Sequence, residues 1–173
     1  MLAAALLVFF PLLMIFAAIS DLFTMTIPNY LSIILVAGFA VMALAIGMPL
    51  TAIGAHILTA LVVLAAGFGL FALGVMGGGD AKFAACVALW LGYSVASVEF
   101  LLLMAVYGGV LTLAVLAFRS WPMLPLALER QTWISRLHRR ESGVPYGIAI
   151  AIAALQVYGS SFWFEQISQL SGM

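Results

Sequence analysis

The chain has 173 residues, 66% of them hydrophobic and 7% charged, and its six acidic and six basic side chains cancel. So little polar surface cannot cover a water-facing domain, which excludes a soluble globular protein and leaves an all-α, polytopic membrane protein. A single cysteine, Cys86, excludes an internal disulfide and a CxxC zinc ribbon.

Apolar stretches fall near 2–20, 29–48, 51–74, 83–97, 99–118 and 144–163. About 20 residues are needed to cross the hydrocarbon core, and five of the six meet that. The first stretch is expected to be a retained span rather than a signal peptide, because no Lys or Arg precedes it and the first base in the chain is Lys82. Gly92, Tyr93, Ser94, Ser97 and Glu99 mark a turn that divides 83–118 into two spans. The expectation is six transmembrane helices in one domain, 1–173.

Orientation follows from the bases. With six spans, the connections at 21–28, 75–82 and 119–143 share one side and hold Lys82, Arg119, Arg130, Arg136, Arg139 and Arg140, all the Lys and Arg there are. The positive-inside rule makes that side cytoplasmic and puts both termini outside, in the periplasm of a bacterial inner membrane. Within 119–143, Met123, Leu124, Ala127, Leu128, Ile134 and Leu137 recur at near-helical spacing between Glu129, Arg130, Arg136, Arg139 and Arg140. Two readings stand: an amphipathic helix on the anionic leaflet, with Trp121 and Trp133 at headgroup level, or a topology anchor without chemistry.

Asp21 ends the first stretch and Asp80 closes Gly77-Gly78-Gly79-Asp80 after the third, so both acids stand where a span meets water on the same side. Ionisable groups are costly there and point to function. Gly77-Gly78-Gly79-Asp80-Ala81-Lys82 is neither a dinucleotide fingerprint nor a phosphate loop, having neither the third glycine nor Gly-Lys followed by Ser or Thr. Three glycines supply backbone free of Cβ atoms, able to take positive φ and lie against an extended peptide beside Asp80; a flexible turn is the plainer alternative. Lys82 is read as a topology signal with an electrostatic effect on Asp80. Pro28 suits the first turn of the second span, and Asn29 is a polar group just inside the interface.

A carboxylate pair suffices for peptide hydrolysis. Like charges at close range cannot both ionise; the ionised acid takes a proton from water, and the protonated one donates to the carbonyl oxygen. No metal and no cofactor is required, and neither His56 nor His138 is expected to bind zinc.

Asp21 with Ile27-Pro28-Asn29, then Gly77-x-Gly79-Asp80-x-Lys82, then Val144-Pro145-Tyr146-Gly147-x-Ala149, resembles the type IV prepilin peptidases, polytopic aspartic proteases of the GxGD kind. The resemblance implies Asp21 and Asp80 as the catalytic pair, Gly77 and Gly79 as residues shaping the loop, and Pro145 and Tyr146 in a wall of the site. With no paired cysteines, the chain is most similar to the small CpaA/TadV-type members of tight-adherence (Flp) pilus systems, which implies cleavage without N-methylation. The implied partners are a prepilin or pseudopilin with a short basic leader, the bilayer and the pilus assembly machinery; no nucleic acid is expected. The readings set against this are a small ion-coupled transporter, disfavoured because both acids lie at one face, a non-catalytic subunit of a pilus or secretion assembly, and a signal-peptide-peptidase-like protease, whose Tyr-Asp motif is replaced here by Ser20-Asp21.

Overall fold

The computed structural model describes residues 2–121, 125, 130–139 and 141–171. Among them every regular element is a helix: α1 Leu2–Thr24, α2 Asn29–Ala45, α3 Leu50–Ala72, α4 Gly78–Leu91, α5 Val95–Arg119, α6 Thr132–His138, α7 Tyr146–Tyr158 and α8 Phe162–Ser171. Three of these are long and apolar enough to cross a membrane, over Ala4–Thr24, Leu50–Ala72 and Val95–Arg119. A fourth span results if α7 and α8, bent by 42°, count as one, while α2 is a shorter apolar helix.

Helix ends follow from Gly and Pro. Both α2 and α3 stop at a left-handed glycine, Gly47 (φ 67°) and Gly74 (φ 71°), which satisfies the last carbonyls while the chain turns. Pro28, Pro49 and Pro145 stand at the N-caps of α2, α3 and α7, where a missing N–H costs nothing. Pro28 therefore lies one residue ahead of the helix it was expected to open, and Asn29 is its exposed first residue.

The fourth element departs from the expected 83–97. Hydropathy detects apolar residues and not helix, so it passed over the polar first turn: α4 begins at Gly78 and stops at Leu91. The break is confined to Gly92–Ser94, with Gly92 at φ 64° and Ser94 capping α5 through its side chain, so Ser97 and Glu99 are already helical. Of the amphipathic residues expected in 119–143, Ile134, Arg136 and Leu137 fall in α6, while Met123, Leu124, Ala127, Leu128, Glu129 and Arg140 lie outside the described residues.

The core forms around α4, whose face toward the bundle is rich in alanine, and around α7; small side chains let neighbouring backbones close in. Helix α4 packs on α2, α3 and α7, and α7 packs on α1 and α5. At Gly67 on α3 an added Cβ would stand 3.0 Å from the Ala81 Cβ. At the end of α4 away from Asp80, Trp90 gathers Phe9, Phe10, Phe39 and Trp163 around its ring. Polar handles in this cluster are all matched. Trp90 Nε1 donates to Leu35 O (3.0 Å), Trp163 Nε1 to Trp90 O (2.7 Å) and Tyr158 OH to Leu6 O (2.6 Å), each contributing about 1 kcal/mol and avoiding a larger penalty if left unmade.

Candidate active site

Asp21 lies in the last turn of α1 and is 3% exposed. Its Oδ2 accepts the backbone N–H of Gly147 at 2.7 Å, across 126 residues of sequence. Gly147 is the second residue of α7, where backbone N–H groups have no partner inside the helix. An acid on one helix thus caps another, and the positive end of α7 faces the negative side chain. Glycine is required by contact: a Cβ on residue 147 would stand 2.8 Å from Asp21 Oδ2 and 2.9 Å from Ile27 Cδ1.

Asp80 sits in the first turn of α4, and its carboxylate folds back against the Gly77 backbone N–H, as an acid three residues past an N-cap commonly does. A Cβ on Gly77 would lie 2.6 Å from Asp80 Oδ2, so Gly77 is needed for this side-chain path. Gly77 has φ −70°, and Gly78 and Gly79 are helical. The left-handed glycine of this connection is Gly74.

The two acids line one cavity of about 670 Å³, and the charge of Asp21 acts on Asp80. The α1–α2 connection contributes Met25, Thr26 and Ile27; the α3–α4 connection contributes Gly74, Val75, Met76, Gly77 and Gly79; Thr112 of α5 and Gly143, Val144 and Tyr146 complete the wall. Met25 adopts φ 57°, unusual for a side chain with a Cβ, where its N–H caps the Asp21 carbonyl at 2.8 Å. The Tyr146 ring lies over Gly108 of α5, in space a Cβ there would occupy.

Other residues singled out from sequence lie elsewhere. Lys82 is exposed and lines two apolar clefts toward α2 and α3, one of which it shares with Gly78. In a helix, side chains two apart point about 200° apart, so Lys82 leaves α4 on the side away from the aspartates. Pro28, Asn29 and Pro145 flank the cavity in sequence without lining it. His56 is buried against α4 with Nδ1 2.7 Å from Leu89 O, and His138 Nε2 lies 3.1 Å from Trp121 O. The described residues contain no group of three or more His, Cys, Asp or Glu able to hold a metal ion.

Asp21 is buried and Asp80 half-buried, and both carboxylates line the one cavity. Residues 8–116, more than half of the chain and including both aspartates, match the type IV leader peptidase family. The chain belongs to the type IV leader peptidase family. This membership makes it a peptidase of multi-pass membrane type. No curated protein and no solved structure matches it at significant similarity. The match ends before Gly147, whose N–H on Asp21 sequence reasoning did not assign; the only sequence signal was the run Val144-Pro145-Tyr146-Gly147 opening a helix.

Proposed function

We infer that this leader peptidase is an aspartic endopeptidase of the GxGD type, in which Asp21 and Asp80 together activate a water molecule. The observation that carries the reading is that two acids 59 positions apart in sequence, out of six in the chain, face one cavity in a member of this family. The ionised acid takes a proton from water as oxygen attacks the scissile carbonyl. The protonated acid donates to the carbonyl oxygen, and collapse of the tetrahedral adduct passes a proton to the departing amine. Gly74–Gly77 and Gly143–Val144 line the cavity, and an extended chain laid along them would pass beside both acids.

The substrate is a prepilin or pseudopilin cut between its basic leader and its hydrophobic helix, at the cytoplasmic face of a bacterial inner membrane. This reading takes six spans, made of α1 to α5 and the bent pair α7–α8, with both termini periplasmic, an arrangement in which the sequence positions of both acids and all six bases fall on one side. Helix α4, at 14 residues, is about 21 Å long, short of the hydrocarbon thickness of roughly 30 Å. Enclosure by its neighbours spares it full contact with lipid.

Asp21→Asn and Asp80→Asn are each expected to lower leader cleavage of a co-expressed prepilin by about 10³-fold while the protein stays in the membrane. Cleavage by either variant at a rate near that of the parent would refute the pair.

A further inference from the structure

Arg119, the last residue of α5, spends its guanidinium on the backbone of a distant segment. Nε donates to Leu137 O, and Nη2 donates to Ser142 O and Gly143 O, all at 2.8 Å. Leu137 is in the last turn of α6, and Gly143 and Val144 are walls of the aspartate cavity. Four residues past Gly143 stands Gly147, whose N–H fixes Asp21. The same helix meets this segment a second time, where Gly108 leaves room for the Tyr146 ring. Helix α5 thus acts as a template along which the run 142–147 is laid, and Arg119 is a charged point of attachment.

We propose that Arg119 is a positioning residue for the catalytic pair: by holding the 142–143 carbonyls it sets where the Gly147 N–H meets Asp21, and so where the Asp21 carboxylate points in the cavity. A planar guanidinium is suited to this because it can reach three carbonyls from one rigid fork. Nothing in the arrangement requires Arg119 to touch substrate. The proposal rests on the reading of Asp21 as catalytic.

The test is a double-substitution cycle on leader cleavage by the full-length protein in detergent or nanodiscs. Arg119→Gln is expected to lower kcat by about 10- to 100-fold with KM within about threefold, the effect of a misaligned group and not of a lost substrate contact. Arg119→Lys, which keeps the charge and the stem, is expected to recover less than half of kcat, since an ammonium cannot span carbonyls at 137 and 142–143. If Arg119→Gln fails to accumulate in the membrane, the lysine variant carries the same comparison. The decisive arm is Gly147→Ala, which breaks the Asp21 contact directly: in that background, substituting Arg119 is expected to cost less than about threefold, because both changes act on one link. Full, additive loss in that background overturns the proposal and leaves Arg119 a general fold residue. Wild-type kcat in Arg119→Lys overturns it too. Asp21→Asn run in parallel separates the two failures: an active Asp21→Asn rejects the catalytic pair, and an inactive one beside a fully active Arg119→Gln rejects only the positioning role.

Discussion

Gly147→Ala is the smallest change that reaches the chemistry. The added methyl stands 2.8 Å from Asp21 Oδ2 and 3.0 Å from Asp21 Cβ, where ordinary contact begins near 3.4 Å, so the carboxylate must retreat by roughly 0.6 Å. Asp21 is 3% exposed, and Ile27 Cδ1, at 2.9 Å from the same methyl, blocks an easy escape. Two effects follow. The N–H bond to a charged acceptor, worth about 1.5–3 kcal/mol, is stretched or lost. A catalytic group shifted by about 1 Å typically loses about 10²-fold in rate, the equivalent of about 2.7 kcal/mol. Cleavage should therefore fall by about two decades in kcat while KM changes little, since the methyl points at the acid and not into the wider mouth. The assay is a time course of leader removal from a purified prepilin, with Gly159→Ala as the control because its Cβ meets nothing within 4 Å. Activity of Gly147→Ala within threefold of the parent would show that Asp21 does not depend on α7 for its aim.

Gly77→Ala is expected to act on the other acid in the same way, because its Cβ would lie 2.6 Å from Asp80 Oδ2; a drop in kcat of about 10²-fold, with Gly54→Ala unaffected, is the outcome to look for. Gly92→Ala should instead weaken the fold. It forces an L side chain into φ 64° and sets a methyl 2.5–2.7 Å from the His56 ring, for a loss of about 2 kcal/mol or more. The signature is a lower unfolding temperature in detergent with unchanged cleavage per folded molecule. A zinc chelator is expected to leave the rate of leader cleavage intact; loss of activity that returns with added metal would point to a different mechanism.

Much of this architecture was legible in the sequence because a bilayer imposes one requirement on every span. The apolar runs found α1, α2, α3 and α5 within a few residues, and Gly92 marked the break between α4 and α5. Their place at span ends on one side permitted Asp21 and Asp80 to meet without showing that they do; the shared cavity is visible only in the fold. The residues that aim them were out of reach. Gly147 reaches Asp21 through a contact 126 residues long, and no local pattern announces which orphan N–H an acid will take. Reading Gly77–Asp80 as loop hid a second consequence: once Gly78 opens a helix, its 100° step per residue separates Asp80 from Lys82. Arg119 was legible as a topological charge, and its service to three carbonyls was not.

Helices α1 and α4 meet through aromatic rings at the end away from the acids. Phe9 and Phe10 of α1 pack on the Trp90 ring, with centroids 5.6 and 5.4 Å away, about ten residues below Asp80. At the acid end, Asp21 takes the Gly147 N–H of α7, and along their length both helices pack on α2 and on α7. The Trp90 cluster acts as a rivet at one end, and the N-terminus of α7 holds the Asp21 tip at the other. Changes at the N-terminus of α7 reach Asp21 while leaving the rivet untouched, so variation in the aim of the acid and variation in how firmly the bundle holds are free to proceed on separate parts of the chain.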